Sequence, residues 1–165
     1  MFLNSKRVEF DDIIDIIKEK LDQGGTVTFT PRGSSMEPML RSGEDVVVLS
    51  KPKGRLSFLD VALYQRDDGT YVMHRVIDFG SDGSYIFCGD NQFHNERGIR
   101  DDNIIGVMTS FFRKGKTYTV KSLSYRLYCN FLYYTRIPRH GYSAGKNRLT
   151  KLFGKKEKNN EKTSE

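Results

Sequence analysis

Between residues 26 and 120 the chain is cut into short runs of β-branched and aromatic residues by Gly, Asp and Pro, and this punctuation narrows the fold more than any other feature. Runs of that length and composition read as strands. They fall at 26–30, 46–49, 61–64, 71–77, 85–88, 104–109 and 117–120. Asp67-Asp68-Gly69 joins two of them and Ser81-Asp82-Gly83 joins the next two, both suited to tight turns. A mainly β fold follows: a single compact antiparallel β domain.

Helical periods flank that domain. Phe10, Ile13, Ile14, Ile17 and Leu21 recur on one face, Asp11 and Asp12 suit the positive first turn, and Gly24-Gly25 stops the run. After residue 120, Leu123, Leu127, Phe131 and Tyr134 lie on or near one face with Arg126 and Arg136 among them, an expected amphipathic helix. Past Pro138 the chain is rich in Gly, Asn and Lys, and its last ten to twenty residues are expected to be mobile. The expected organisation is a helical segment over 1–25, a β domain over 26–120, and a basic, aromatic helix and tail over 121–165. A chain of 165 residues builds one such core and leaves little for a second.

Charge is divided unevenly. Residues 1–110 carry 13 Lys/Arg against 18 Asp/Glu, net −5, and residues 111–165 carry 14 against 3, net +11. Such an end usually makes a solvated tail, and less often a surface for anionic lipid or nucleic acid. Peripheral contact with an anionic membrane through residues 121–158 is one expectation. Nucleic acid is disfavoured, since no helix-turn-helix pattern accompanies the basic residues. Cys88 and Cys129 stand far apart with no CxxC or Cys/His ligand spacing, which points to a reducing compartment and to no metal or cofactor. The first ten residues hold no signal-peptide core, and no window reaches the roughly 18 apolar residues of a membrane-spanning helix. A cytoplasmic protein, peripheral at most on the inner membrane face, is expected.

Three segments carry candidate chemistry. Pro31-Arg32-Gly33-Ser34-Ser35-Met36-Glu37-Pro38 follows the first strand and could present a serine, although such a segment is more often just a turn. A serine hydroxyl is a weak nucleophile until a neighbouring base takes its proton. In 71–77 the alternation sets Val72, His74 and Val76 on one face and Tyr71, Met73, Arg75 and Ile77 on the other. His74 therefore lies on a half-buried face, where histidines are commonly structural, yet its pKa also suits general-base work. Cys88-Gly89-Asp90-Asn91 opens a polar loop that runs on to Glu96, and Asp90 or Glu96 could orient the imidazole.

Together these segments resemble the type I signal peptidase family and the related LexA-like self-cleaving peptidases over residues 26–110. Ser35-Met36-Glu37-Pro38 matches the family's Ser-Met-x-Pro motif, followed by a similar polar turn, Arg41-Ser42-Gly43-Glu44-Asp45. His74-Arg75-Val76 and Gly89-Asp90-Asn91 look like the endoplasmic-reticulum and archaeal branch, which uses histidine as base and places an acid six positions after the Asp, here Glu96. The resemblance implies a serine endopeptidase of that fold type: Ser35 as nucleophile, His74 as base, Asp90 or Glu96 as the third member, and Gly33, Ser34, Met36 and Pro38 around the oxyanion and substrate. Gly33 stands where many members have a serine, so the oxyanion would rest on backbone N–H groups, chiefly that of Ser35. The implied substrate is a precursor or leader peptide. The alternative is an inactive peptidase-fold binding module held on an anionic membrane or a partner by its basic C-terminal region. Self-cleavage is disfavoured, because the first 25 residues offer no DNA-binding module to release.

Overall fold

The structure, a computed structural model, describes residues 10–136. The expected mobile end lies outside them. Helix α1 (Phe10–Asp22) is followed by strands β1 (Thr26–Phe29), β2 (Val46–Ser50), β3 (Val61–Gln65), β4 (Tyr71–Phe79), β5 (Tyr85–Cys88), β6 (Glu96–Ile99), β7 (Ile104–Arg113) and β8 (Lys116–Thr119), and by helix α2 (Leu123–Tyr134). All strand pairs are antiparallel, in the order β1-β2-β7-β3-β4-β5-β6, with β8 paired to β7. The mainly β, antiparallel domain with a helix on either side agrees with the pattern of runs. Strand β6 was not expected: Glu96-Arg97-Gly98-Ile99 has no apolar alternation, and it forms a sheet edge paired only with β5.

The sheet is covered on both faces, and strict alternation sorts the side chains. Val61 and Leu63 of β3 and Met73 of β4 join a core with Ile14, Ile17 and Leu21 of α1 and with Tyr125, Cys129 and Leu132 of α2. Ala62 and Tyr64 of β3 and Val76 of β4 join Leu56, Tyr85, Phe87 and Ile99 on the other side. Burying each large apolar side chain contributes about 1.5–3 kcal/mol, so α1 is held by its three inward residues rather than by propensity. The 67–69 turn closes as its sequence suggests: Gly69 has φ +85° and Asp68 accepts the Thr70 N–H at 2.9 Å.

The connection from β1 to β2 also enters the core, through Met36, Met39 and Leu40. Its far end is fastened by Asp45, whose side chain is 0% exposed. The carboxylate accepts Arg41 N–H at 2.7 Å and Arg113 Nη2 at 2.6 Å, and Arg113 also donates to the carbonyls of Pro38 and Met39. Burial pushes the Asp45 pKa up, but the hydrogen bonds from Arg113 and Arg41 outweigh that and hold it at about 2, against an ordinary 3.8. A carboxylate depressed on folding stabilises above its unfolded pKa, and that contribution disappears as pH falls through the folded value. Asp45→Asn should therefore cost about 2 kcal/mol or more at pH 7. In urea titrations run at a series of pH values, the gap to wild type should narrow between pH 3.8 and about 2.

Candidate active site

His74 lies on the β4 face that carries Val72 and Val76, and only 2% of it is exposed. Strand pairing sets Ala62 of β3 directly opposite it and Tyr64 opposite Val72, so Tyr64 shares its face. The ring's Nδ1 lies 3.0 Å from Glu96 Oε1 and 3.2 Å from the Tyr64 hydroxyl. Glu96 is the first residue of β6 and pairs with Phe87. Arg66, just past β3, clamps the same carboxylate through Nε to Oε2 at 2.8 Å and Nη2 to Oε1 at 2.5 Å, and Tyr64 donates to Oε2 at 2.9 Å.

Counting protons fixes the tautomer. Tyr64 has one hydroxyl proton and gives it to Glu96, so toward the ring its oxygen accepts, and Nδ1 must carry the imidazole proton. Nε2 then bears the lone pair, and no described residue hydrogen-bonds it. Burial disfavours the imidazolium and, with the charge of Arg66, outweighs the pull of Glu96, so His74 titrates below its ordinary 6.5. Burial also pushes Glu96 up, but Arg66, Tyr64 and the imidazole hold it below the usual carboxylate value. Burial and the neighbouring carboxylate push the Tyr64 phenol up, so its proton stays in place. At neutral pH the set is a neutral base, an ionised acceptor and a fixed donor.

Asp90, the other candidate for orienting the imidazole, is engaged elsewhere. Its carboxylate takes Arg75 Nε and Nη2 at 2.7 Å each. Arg75 follows His74 on β4 and so points to the opposite face, which carries Asp90 away with it. Glu96 is the residue at the ring.

The Ser35 loop rests on the residues that follow β5. Asn91 N–H donates to the Ser35 carbonyl at 2.8 Å, and Asn91 Nδ2 to the Ser34 carbonyl at 3.1 Å. Arg75 pairs with Cys88, and extending that register by one residue sets Gly89 opposite His74 on the same face. A Cβ at Gly89 would lie 2.6 Å from the Ser35 carbonyl oxygen and 3.1 Å from Ser35 Cβ. Ser35 thus occupies the space that a side chain across from His74 would fill. This brings Ser35 to the β4–β5 register position that faces His74. Among the described residues no hydrogen bond joins the two.

The remaining expected residues divide. Ser35 is half-buried, and its N–H makes no hydrogen bond among the described residues. The Gly33 N–H is taken by Ser42 Oγ at 3.0 Å, and exposed Ser34 has its carbonyl bonded by Glu37 N–H and Asn91. A cavity of about 110 Å³ beside Ser35 is lined by Gly33, Met36, Leu40, Tyr71, Val72 and Met73 among others. Met36 reaches it from the core, whereas Pro38 stands apart from it and offers its carbonyl to Arg113. Tyr64 and Arg66 were missed from sequence, because their place at Glu96 depends on strand register; a Tyr and an Arg two residues apart at a strand end are otherwise ordinary. Among the described residues no group of three or more His, Cys, Asp or Glu is placed to hold a metal ion.

No protein-family model matches the chain, and no curated protein matches it. The site therefore stands on its own geometry.

Two outcomes are expected. Gly89→Ala should displace the Ser35 loop while leaving the sheet intact, seen as amide shift changes confined to residues near 33–37 and 89–92. In imidazole NMR titrations His74 should show an Nδ1–H tautomer and a pKa below 6.5, and Glu96→Gln, which removes the negative charge beside the ring, should lower that pKa further.

Proposed function

We propose that this chain is a serine endopeptidase in which Ser35 is the nucleophile, His74 the general base and Glu96 the group that orients it. The observation that carries this reading is the buried His74 with its Nδ1 3.0 Å from an ionised Glu96 held by Arg66 and Tyr64, while Ser35 packs against Gly89, the residue that the extended β4–β5 register sets opposite His74. A general base near neutrality needs a neutral ring with one nitrogen committed and the other open, which is the arrangement around His74.

In the proposed cycle Ser35 Oγ attacks a peptide carbonyl carbon as its proton passes to His74 Nε2. The tetrahedral oxyanion is met by backbone N–H donors, that of Ser35 first. The C–N bond then breaks, and the leaving amine takes the proton from Nε2. Water, deprotonated by the same nitrogen, releases the acid and restores the serine. Glu96 stabilises the transient imidazolium without accepting its proton. The resemblance to the histidine-using signal peptidase branch gives the substrate class, a precursor or leader peptide bound in extended form with small side chains before the cut.

The test is cleavage of extended peptides bearing small residues before the scissile bond, beside serine-directed phosphonate labelling read by intact mass. Ser35→Ala should abolish both, and His74→Ala should lower kcat/KM by about 10²–10⁴-fold. Because the base must be neutral, activity should be flat above 6.5 and fall on acidification through the lower pKa of the folded ring. If neither cleavage nor an adduct depends on Ser35, the enzyme reading fails and the inactive binding module takes its place.

A further inference from the structure

The stripe that the spacing of α2 singles out faces away from the domain. Tyr125, Cys129 and Leu132 bury one side of the helix, whereas Leu123, Leu127, Phe131 and Tyr134 are 70%, 61%, 61% and 72% exposed. At about 100° per residue the four exposed positions fall within roughly 80° of one another, opposite the buried three. A helix apolar on both sides is outermost only when something covers its outer face. Among the described residues nothing does, and no helix is long and apolar enough to cross a membrane.

The surroundings of the stripe indicate what the cover is. From residue 103 to residue 156 the chain has twelve Lys/Arg and no Asp or Glu. Along the flank of the helix next to the stripe runs a cleft of about 570 Å³, lined by Lys121, Arg126 and Asn130 on one side and by Ser57, Phe58 and Asp60 on the other. Asp60, the acidic member of the lining, accepts the Ser57 N–H at 2.8 Å. A second copy of the same face would bring like charges together.

We infer that α2 lies in the interface of an anionic lipid membrane, with Leu123, Leu127, Phe131 and Tyr134 in the acyl boundary and lipid phosphate at Lys121 and Arg126. An apolar stripe bordered by cations is the form such interfacial helices take. The inference does not depend on the chemistry proposed for Ser35.

The test uses the full chain with vesicles of phosphatidylcholine alone and of an equimolar mixture with phosphatidylglycerol, read by co-sedimentation at increasing salt. Wild type should partition to the anionic vesicles and be released by salt. Leu127→Glu with Phe131→Glu should weaken partition by roughly tenfold or more. Lys121→Glu with Arg126→Glu should weaken it by about fivefold or more per cation and flatten the salt dependence. All four side chains are exposed, Lys121 just before the helix and the others on its outer or flanking side, so thermal melts should stay near wild type. No partition to anionic vesicles overturns the inference, as does equal partition to both kinds. Full binding by Leu127→Glu/Phe131→Glu also overturns it, placing the contact in the basic segment after residue 136. So does self-association abolished by that variant without vesicle binding, which would make the cover a second copy.

Discussion

A guanidinium enclosed in a protein interior needs a counter-charge and acceptors for its remaining donors, and the position of the candidate site follows from how Arg75 meets that need. Asp90 takes two of its N–H groups, and the others reach the carbonyl of Leu59, the sulfur atoms of Met39 and Cys129, and, at 3.5 Å, the Tyr125 hydroxyl. One side chain thereby joins β4, the loop after β5, the Ser35 connection, the 57–60 loop and α2. A buried ion pair adds little net stability over a well-packed apolar pair, but removing one partner leaves a stranded charge at about 3–5 kcal/mol. Its consequence is placement: Asp90 is held, so Gly89 and Asn91 on either side of it are held, and these two seat Ser35.

The adjacency of His74 and Arg75 turns strand alternation into a division of roles. Successive side chains on β4 leave on opposite faces, and each meets a carboxylate from the segment between β5 and the start of β6. Arg75 takes Asp90 on the helix-covered face, and His74 takes Glu96 on the other. The triplet Gly89-Asp90-Asn91 reads as a turn in isolation. In the fold its three residues act separately. Gly89 permits the close approach of Ser35, Asp90 forms the ion pair, and Asn91 hydrogen-bonds the Ser34 and Ser35 carbonyls.

Much of this was legible in the sequence, and the rest was hidden for identifiable reasons. Period-two runs and Asp-Gly turns marked seven strands, because both patterns are local. Strand β6 escaped because its residues are mostly polar and it forms only at an edge, where pairing rather than burial defines it. The serine, histidine and acidic segments were recognisable in order, but the choice between Asp90 and Glu96 depended on which face Arg75 occupies and what it needs. Tyr64 and Arg66 were invisible for the same reason: only the β3–β4 register and the placement of β6 bring them to one carboxylate. On α2 the spacing found an apolar stripe, but periodicity alone does not say which of two apolar faces meets the core.

The identity of residue 96 closes the physical account of the site. The Glu96 carboxylate accepts three hydrogen bonds, Oε1 from Arg66 and Oε2 from Arg66 and Tyr64, and Oε1 also lies 3.0 Å from His74 Nδ1. Arg66 and Tyr64 hold the carboxylate below the usual value, so a proton shared between it and the ring stays on Nδ1. The bidentate Arg66 fixes the plane of the carboxylate as well as its charge, and Tyr64, too deeply buried to ionise, locks its distal edge. An aspartate at 96 would draw the carboxylate about one methylene back toward β6 and could not keep His74, Tyr64 and Arg66 without moving one of them. The longer side chain is what allows the first residue of an edge strand, with β5 between it and β4, to set the tautomer of a buried ring on β4.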